Sequence, residues 1–200
     1  MRGTVGVTEH INTGAGTIAC WVRPTTISPG ADGYFFTYRN NTSHFSWNMI
    51  MKHSTGLMEC FWFRSDGEND SATTTSGMVA NTWAFLVSTY VPSTFIKVYF
   101  NGALETTNTT SIIANQSSWT DIAINLGSPG ASSANGFSGA LAHPMCWNRA
   151  LTDGEIKQLY LDPWVLWRHE MSLGKTPAAP SFNPAWAVNS NYTIQPGFAA

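Results

Sequence analysis

Short apolar or alternating runs recur along most of the chain, and turn-forming residues separate them at roughly ten-residue spacing. The runs are TIACWVR (17–23), YFFTY (34–38), HFSWNMIM (44–51), LMECFWFR (57–64), TWAFLVSTY (82–90), FIKVYF (95–100), DIAINLG (121–127) and GFSGALAHPMCWN (136–148). Their length and spacing predict an all-β fold in which two antiparallel sheets pack face to face as a sandwich or jelly roll.

Two of the connections predict hairpins. Residues 44–51 and 57–64 are joined by KHSTG, and FIKVYF runs directly into Asn101-Gly102. Asn-Gly after a strand is the strongest short hairpin signal, because both residues tolerate the positive φ angles of a type I′ turn.

One stretch, NRALTDGEIKQLYLDPWVLWR (148–168), predicts a short helix. Thr152 is a favourable N-cap, and Glu155 three residues later completes a capping box. The apolar positions at helical spacing are Leu151, Ile156, Leu159 and Tyr160. Pro163 then interrupts the helix. Because so short a helix is unstable alone, we expect it to lie on the sandwich.

The composition changes after about residue 170, where proline, small residues and isolated aromatic residues replace the apolar runs. This pattern cannot build a core, so we predict a jelly-roll domain over 1–168 and an extended C-terminal arm over 169–200. The arm is either disordered or ordered against another surface. In the second case its anchors for a partner are Phe182, Trp186, Tyr192 and Phe198.

Several segments resemble, in the same order, the motifs of laminin-G-like, concanavalin-A-like jelly rolls. They are GTIACWVRPT (16–25), NTWAFLVSTY (81–90), IKVYFNGAL (96–104), INLGSPG (124–130) and GFSGALAHPMCWNRALTDGEIKQLY (136–160). The resemblance implies a sandwich of two antiparallel sheets. The chain departs from the family pattern where Ala142-His143 replaces an acidic pair. Pro144 follows them, and it predicts an edge or bulged strand because proline donates no ladder hydrogen bond.

The segment DPWVLWR (162–168) is also similar to the closing segment of family members from bacteriophages and environmental viral genomes. This narrower resemblance implies a protein of viral particles.

Composition narrows the function classes. Apolar residues make up 43% of the chain and charged residues only 11%, with a net charge of −2. Without a cluster of Lys and Arg, the chain has no electrostatic footprint for nucleic acid. No apolar run is long enough to span a membrane, and the N-terminus lacks the apolar core of a secretory signal. The cysteines Cys20, Cys60 and Cys146 have no metal-ligand spacing and are interpreted as reduced, buried thiols.

The acidic residues argue against an enzyme. Glycosidases on this fold need two closely spaced carboxylates on one strand face. Glu59 is the only acid inside a strong strand run, and no second acid accompanies it there. Asp66, Glu68 and Asp70 alternate in RSDGEND (64–70) and are candidate calcium ligands. The alternative interpretation is a solvated acidic hairpin loop.

The nine tryptophans mainly indicate core packing. Trp83 and Trp147 occupy core-like strand positions, and we expect Trp164 and Trp167 to pack the closing segment onto the sandwich. The candidates for an exposed ring that stacks on a glycan are Trp62 and Trp119.

These observations support two functions. The first is a non-enzymatic structural virion protein, a capsid decoration (cement) or tail-appendage component that forms homo-oligomers and binds neighbouring virion proteins through its arm. Such a protein would be made in the host cytoplasm without a signal peptide. The second is a lectin-like adhesion module that recognises surface glycans. No cofactor is expected apart from the candidate calcium ion.

Overall fold

The computed structural model describes residues 2–4, 14–27, 30–40, 46–63, 69–110, 112, 122–129 and 135–166. Within these ranges the strands are β1 (Arg2–Thr4), β2 (Gly16–Pro24), β3 (Gly33–Asn40), β4 (Ser46–Met51), β5 (Leu57–Phe63), β6 (Asn69–Gly77), β7 (Ala84–Val91), β8 (Phe95–Phe100), β9 (Ala103–Asn108), β10 (Ile122–Leu126) and β11 (Gly139–Trp147). One helix, α1, spans Asp153–Leu161.

The strands form two sheets that pack face to face, as the sequence predicts. A front sheet has the order β1-β10-β3-β4-β5-β6, and a back sheet has the order β11-β2-β7-β8-β9. All the strand pairs are antiparallel. The predicted antiparallel sandwich is therefore confirmed.

The main core lies between the two sheets and comes from alternate residues of their strands. From β2 it contains Ile18, Cys20 and Val22, and from β4 it contains Trp47, Met49 and Met51. Side chains of successive strand residues point to opposite faces, so the residues between these positions face outward. The outward faces of the two sheets differ in chemistry, and this difference positions the candidate site.

Strand β6 was not predicted, because its sequence NDSATTTSG has almost no apolar pattern. It is an edge strand of the front sheet, and side chains of the back sheet's edge strand β9 bind its backbone. Glu105 accepts hydrogen bonds from the backbone N–H groups of Thr75 at 2.7 Å and Ser76 at 2.8 Å. Thr106 and Asn108 donate to backbone carbonyls of β6. These bonds close one side of the sandwich.

The Asn101-Gly102 hairpin is confirmed. Both residues have positive φ angles, 49° and 77°, which is the conformation of a type I′ turn. The Asn101 side chain also accepts a hydrogen bond from the Phe85 N–H at 2.9 Å and ties the turn to β7.

Both alternatives proposed for the Pro144 strand hold. β11 pairs only with β2 among the described strands, so it is an edge strand. Its register with β2 shifts between Ala142 and Met145, and His143 takes a positive φ of 46°. The bulge places proline where no ladder hydrogen bond is needed.

Helix α1 lies on the outer face of the back sheet. Thr152 and Glu155 form the predicted capping box. Ile156 and Leu159 are buried in a second apolar cluster. The sheet residues of that cluster are Ala19, Phe85, Val87, Tyr99, Met145 and Trp147. The prediction that the helix packs on the sandwich is confirmed.

The closing segment differs in part from its prediction. Trp164 is 55% exposed, so it does not pack into the sandwich. It contacts the His143 ring edge-on, with the two ring centroids 4.5 Å apart. The neighbouring Val165 and Leu166 pack against the second cluster instead. Trp167 and the arm residues 169–200 lie outside the described residues. None of the described helices has the length and apolar character needed to cross a membrane.

A candidate ligand-binding face on the front sheet

The outer face of the front sheet is polar near its centre, unlike the apolar outer face of the back sheet. Three residues, Asn125, Thr37 and Asn48, lie side by side on β10, β3 and β4. Their strand neighbours Leu126, Phe36 and Met49 face the core, and alternation therefore directs the three polar side chains outward. We call this surface, together with Phe61, which is opposite Asn48 on β5, the polar face.

Two polar groups on this face are buried and have no hydrogen-bond partner within the described part of the chain. They are the Thr37 hydroxyl and the Asn125 side-chain N–H₂, on residues that are 1% and 5% exposed. Asn48, in contrast, donates to the Ser46 hydroxyl at 2.8 Å. A buried polar group without a partner costs about 1–3 kcal/mol. Thr37 and Asn125 are therefore an adjacent pair of unused hydrogen-bonding groups.

A charged rim borders the polar face at the end that carries the β4–β5 turn. Lys52 lies between two carboxylates, with its Nζ 3.1 Å from Glu59 and 3.5 Å from Asp32. Asp32 Oδ1 also accepts a hydrogen bond from the His53 backbone N–H at 2.8 Å. The same oxygen lies 2.8 Å from Nδ1 of the His53 ring. The four side chains are between 20% and 55% exposed, so solvent and ligands can reach them.

The charged groups of the rim stabilise one another in their ionised forms. The hydrogen bond with Glu59 raises the pKa of Lys52, despite partial burial, and the two carboxylate charges add to this effect. Burial opposes ionisation of Asp32, but hydrogen bonds from His53 and the charge of Lys52 outweigh it and lower the pKa of Asp32. Asp32 is thus held as an anion, whereas a general acid needs a raised pKa.

Two half-buried aromatic rings lie between the rim and the polar pair. Tyr34 and Phe61 meet edge-to-face with ring centroids 6.2 Å apart. Burial raises the pKa of Tyr34, and the nearby Asp32 and Glu59 charges raise it further. The Tyr34 hydroxyl is therefore a neutral donor beside two acceptor carboxylates. Together the residues offer ring surface, charged acceptors and hydrogen-bond donors within one area.

The structure corrects two predictions about tryptophan. Trp62 is 3% exposed and stacks on Trp47 in the core with ring centroids 5.3 Å apart. It faces inward because it alternates with Phe61, so the prediction of an exposed glycan platform at Trp62 is wrong. Trp83, expected in the core, is 39% exposed because it precedes β7 instead of lying within it. Trp147 is buried as expected.

The candidate calcium ligands are not seen together. Asp70 lies in β6, opposite Trp62, and is only 7% exposed, so it is not a solvated loop residue. Asp66 and Glu68 lie outside the described residues, as do Trp119 and the arm residues Phe182, Trp186, Tyr192 and Phe198. Among the described side chains, no group of three His, Cys, Asp or Glu is placed to hold a metal ion.

Sequence reasoning missed the polar face and most of the rim. The sequence marks Glu59 as an isolated acid in a strand, but its partners Asp32 and Lys52 lie outside the strands, in segments without any motif. The alternation of polar residues in β3 and β4 was the available signal. It could not show that Asn125, from a distant segment, aligns with Thr37.

Comparisons with known proteins agree with this architecture. Residues 4–157 match the laminin-G family of the concanavalin A-like lectin/glucanases superfamily. The fold is similar to a native heptameric SAP-like pentraxin from Limulus polyphemus, with 14% identity, a TM-score of 0.60 and 80% of each chain covered. A search of the curated proteins found no match.

Two further solved structures share the fold. One is the CBM40 module of the Ruminococcus gnavus IT-sialidase bound to α2,3 sialyllactose, with 14% identity, a TM-score of 0.61, and 75% of this chain and 84% of that chain covered. The other is the receptor binding domain of the botulinum neurotoxin C/D mosaic serotype, with 12% identity and a TM-score of 0.61. The match covers 80% of this chain but only 39% of the toxin domain. The family match spans most of the chain, and the chain therefore belongs to the laminin-G-like family of the concanavalin A-like lectin/glucanases superfamily.

Proposed function

We propose that this protein is a non-catalytic, lectin-like module that binds carbohydrate on the polar face of its front sheet. The observation that carries the proposal is the polar pair Thr37 and Asn125, which has no hydrogen-bond partner in the described part of the chain and is bordered by half-buried rings and an exposed charged rim. Both groups are closed off from solvent in the unliganded chain, so a sugar reaches them only when the atoms that cover them move aside. Buried polar groups are normally hydrogen-bonded, and exceptions point to an unseen partner such as water or a ligand. A sugar hydroxyl can both donate and accept, so it suits a hydroxyl beside an amide.

The surroundings of the pair fit the same ligand class. Tyr34 and Phe61 provide ring surface for the apolar face of a pyranose, while Glu59 and Asp32 are acceptors for hydroxyl groups at the exposed rim. Lys52 holds the two carboxylates apart and ionised. Similarity in fold to a module bound to sialyllactose supports this class of function, although the residues named here come from this chain alone.

A glycan array with the Thr37→Val variant tests the proposal. Valine keeps the shape of threonine but removes the hydroxyl, so we expect at least a tenfold loss of glycan affinity. The melting temperature should stay the same or rise, because an unpaired buried polar group is removed. A wild-type protein that binds no glycan, or a variant that binds as well as wild type, would contradict the proposal.

Thr74→Val is a matched control for this experiment. Thr74 is equally buried, but its hydroxyl accepts from the Met58 N–H at 3.0 Å and donates to the Ser76 carbonyl at 2.9 Å. Removing it leaves a backbone N–H without its partner and should lower stability by about 1–3 kcal/mol. Glycan binding by the folded fraction should be unchanged.

As a second candidate function, we propose that the module is a structural component of a virion, in a capsid decoration or a tail appendage. The observation in its favour is the exposed apolar surface next to the closing segment, where Leu161 is 70% and Trp164 is 55% exposed. Such a surface suits contact with a neighbouring subunit. The two functions are compatible, since a virion component can also adhere to glycans.

Truncation after residue 168 tests whether the arm contributes to this second function, while the exposed Leu161 and Trp164 stay in place. Because the described strands and helix all end before that residue, we expect the truncated protein to keep its melting temperature. It should lose assembly into homo-oligomers or onto particles, measured by light scattering and negative-stain imaging. Normal assembly of the truncated protein would refute the role of the arm and its aromatic residues.

A further inference from the structure

A second exposed aromatic site lies away from the polar face, where β2 ends and β7 begins. The guanidinium carbon of Arg23 lies 5.4 Å from the centre of the Trp83 ring. Trp83 is 39% exposed and Arg23 is also exposed. Both side chains belong to the outer side of the back sheet. Trp83 lies two residues before the outward-facing Phe85, and Arg23 lies two residues after the outward-facing Trp21, so strand alternation places both on that side.

The backbone around this pair is held in position by hydrogen bonds. The Asn81 N–H donates to the Pro24 carbonyl at 2.7 Å and so joins the loop before Trp83 to the residue after Arg23. The Thr82 N–H donates to the Val79 carbonyl at 3.1 Å and closes a tight turn, in which Asn81 has a positive φ of 60°. The two side chains are therefore presented on a fixed frame without being buried by it.

The charge of Arg23 is not neutralised by a neighbouring acid in the described part of the chain. Three other basic side chains have such partners: Arg149 pairs with Glu155, Lys52 with Asp32 and Glu59, and Lys97 with Asp153. Arg23 has an aromatic ring instead, and a guanidinium on a ring keeps its N–H donors available for an anion.

We propose that Arg23 and Trp83 form a second ligand site that takes a sugar bearing a carboxylate, such as a uronic or sialic acid. The guanidinium binds the carboxylate through two parallel hydrogen bonds, and the indole packs against the sugar ring. The exposed Thr82 directly precedes Trp83 and can bind a ring hydroxyl, whereas the Thr25 hydroxyl already donates to the Ser138 carbonyl at 3.1 Å and can only accept from a ligand. The choice of a sugar rests on the proposed carbohydrate-binding function.

Charge and size favour this ligand over the larger alternatives. A nucleic acid needs several cations along one surface, and this site offers a single guanidinium beside one ring. A stable protein partner needs about 800 Å² of contact surface, whereas a monosaccharide acid needs only the pair and its polar neighbours.

Isothermal titration with tri-galacturonic acid and its methyl ester tests the site. The ester keeps the sugar rings and removes the charge. We expect the acid to bind wild-type protein at least tenfold more tightly than the ester. Arg23→Gln should lower the affinity for the acid to the affinity for the ester. Trp83→Ala should weaken the binding of both the acid and the ester. 3′-Sialyllactose, compared with lactose, is the second pair of probes and distinguishes sialic from uronic acids as the source of the carboxylate.

Two variants separate this proposal from the function proposed for the front sheet. Trp164→Ala removes another exposed tryptophan and should leave the affinity for the acid unchanged. Thr37→Val should also leave the affinity for the acid unchanged, while this variant reduces binding at the polar face.

The second site is refuted if neither acid binds wild type, if the acids bind no better than their neutral counterparts, or if Arg23→Gln binds them normally. It is also refuted if Thr37→Val alone abolishes acid binding. If acid binding depends on Arg23 while Thr37→Val alters no glycan interaction, the second site stands and the front-sheet proposal fails.

Discussion

At the scale of single residues, the segment from Asn148 to Glu155 shows how side chains fix the closing turn. Arg149 donates two hydrogen bonds to Glu155, at 2.6 and 2.9 Å. Thr17, completely buried in β2, donates to the Arg149 carbonyl and accepts from the Leu151 N–H. The turn, the helix start and the back sheet are thus joined through a few polar groups, and Leu151 anchors the turn in the apolar cluster.

This network predicts a pH-dependent contribution to stability. The hydrogen bonds from Arg149 chiefly lower the pKa of Glu155 to about 2, with help from Thr152 and against partial burial. Because the folded pKa lies below the usual value of 4.5, the stabilisation is present above pH 4.5 and is lost as the pH falls towards 2. Glu155→Gln should lower the free energy of unfolding by about 1–2 kcal/mol at pH 7, since the pair is partly exposed.

Urea denaturation at pH 7 and pH 2.5 measures this effect. The difference between wild type and Glu155→Gln should shrink at pH 2.5, where Glu155 in wild type is partly protonated. A difference that stays constant with pH would show that the ionised pair does not stabilise the fold.

Glycine is required at position 102 for two reasons. Its φ of 77° is unfavourable for residues with a Cβ. A Cβ there would also lie 2.8 Å from the Cβ of Tyr160 in the helix. We expect Gly102→Ala to destabilise the protein by about 1–3 kcal/mol.

Gly154→Ala is the matched control for Gly102→Ala, because a Cβ at Gly154 meets no atom within 4 Å. It lies in the first turn of α1, where alanine should leave stability unchanged or raise it by up to about 1 kcal/mol. Thermal melts of both variants check the contrast, and equal melting temperatures would contradict the close contact between hairpin and helix.

At the scale of elements, the apolar pattern predicted the strands that supply the core, the Asn-Gly hairpin and the capped helix. These elements are encoded by local sequence: the strands by alternating apolar and polar residues, the hairpin by its turn residues and the helix by its capping residues. Strand β6 was missed because hydrogen bonds from Glu105, Thr106 and Asn108 hold it, and no apolar alternation marks it. Trp62 was misassigned because its orientation depends on the register of β5.

The helix contributes to the fold through the face it buries on the back sheet. Ile156 is completely buried, so Ile156→Ala should lower the free energy of unfolding by about 2–4 kcal/mol. Leu161→Ala, at a residue that is 70% exposed, should change it by less than about 0.5 kcal/mol. Chemical denaturation of the two variants tests the placement of α1, and similar losses at both positions would argue against it.

At the scale of the whole molecule, the two sheets present different outer surfaces. The back sheet is covered by α1 and is apolar beneath it, whereas the front sheet carries the polar pair, the aromatic rings and the charged rim. The sequence could not predict this site, because β10, β3, β4 and β5 bring its residues together from separate parts of the chain. The outer face of the back sheet packs against the helix, and in our proposal the outer face of the front sheet binds the glycan.

The most direct test of this account is a crystal structure of the complex with the glycan that binds most tightly on the array. The account predicts the sugar on the front sheet, over Tyr34 and Phe61, with a sugar hydroxyl or a bridging water hydrogen-bonded to Thr37 Oγ1 or Asn125 Nδ2. A sugar bound elsewhere, with Thr37 and Asn125 still unpaired, would contradict the account.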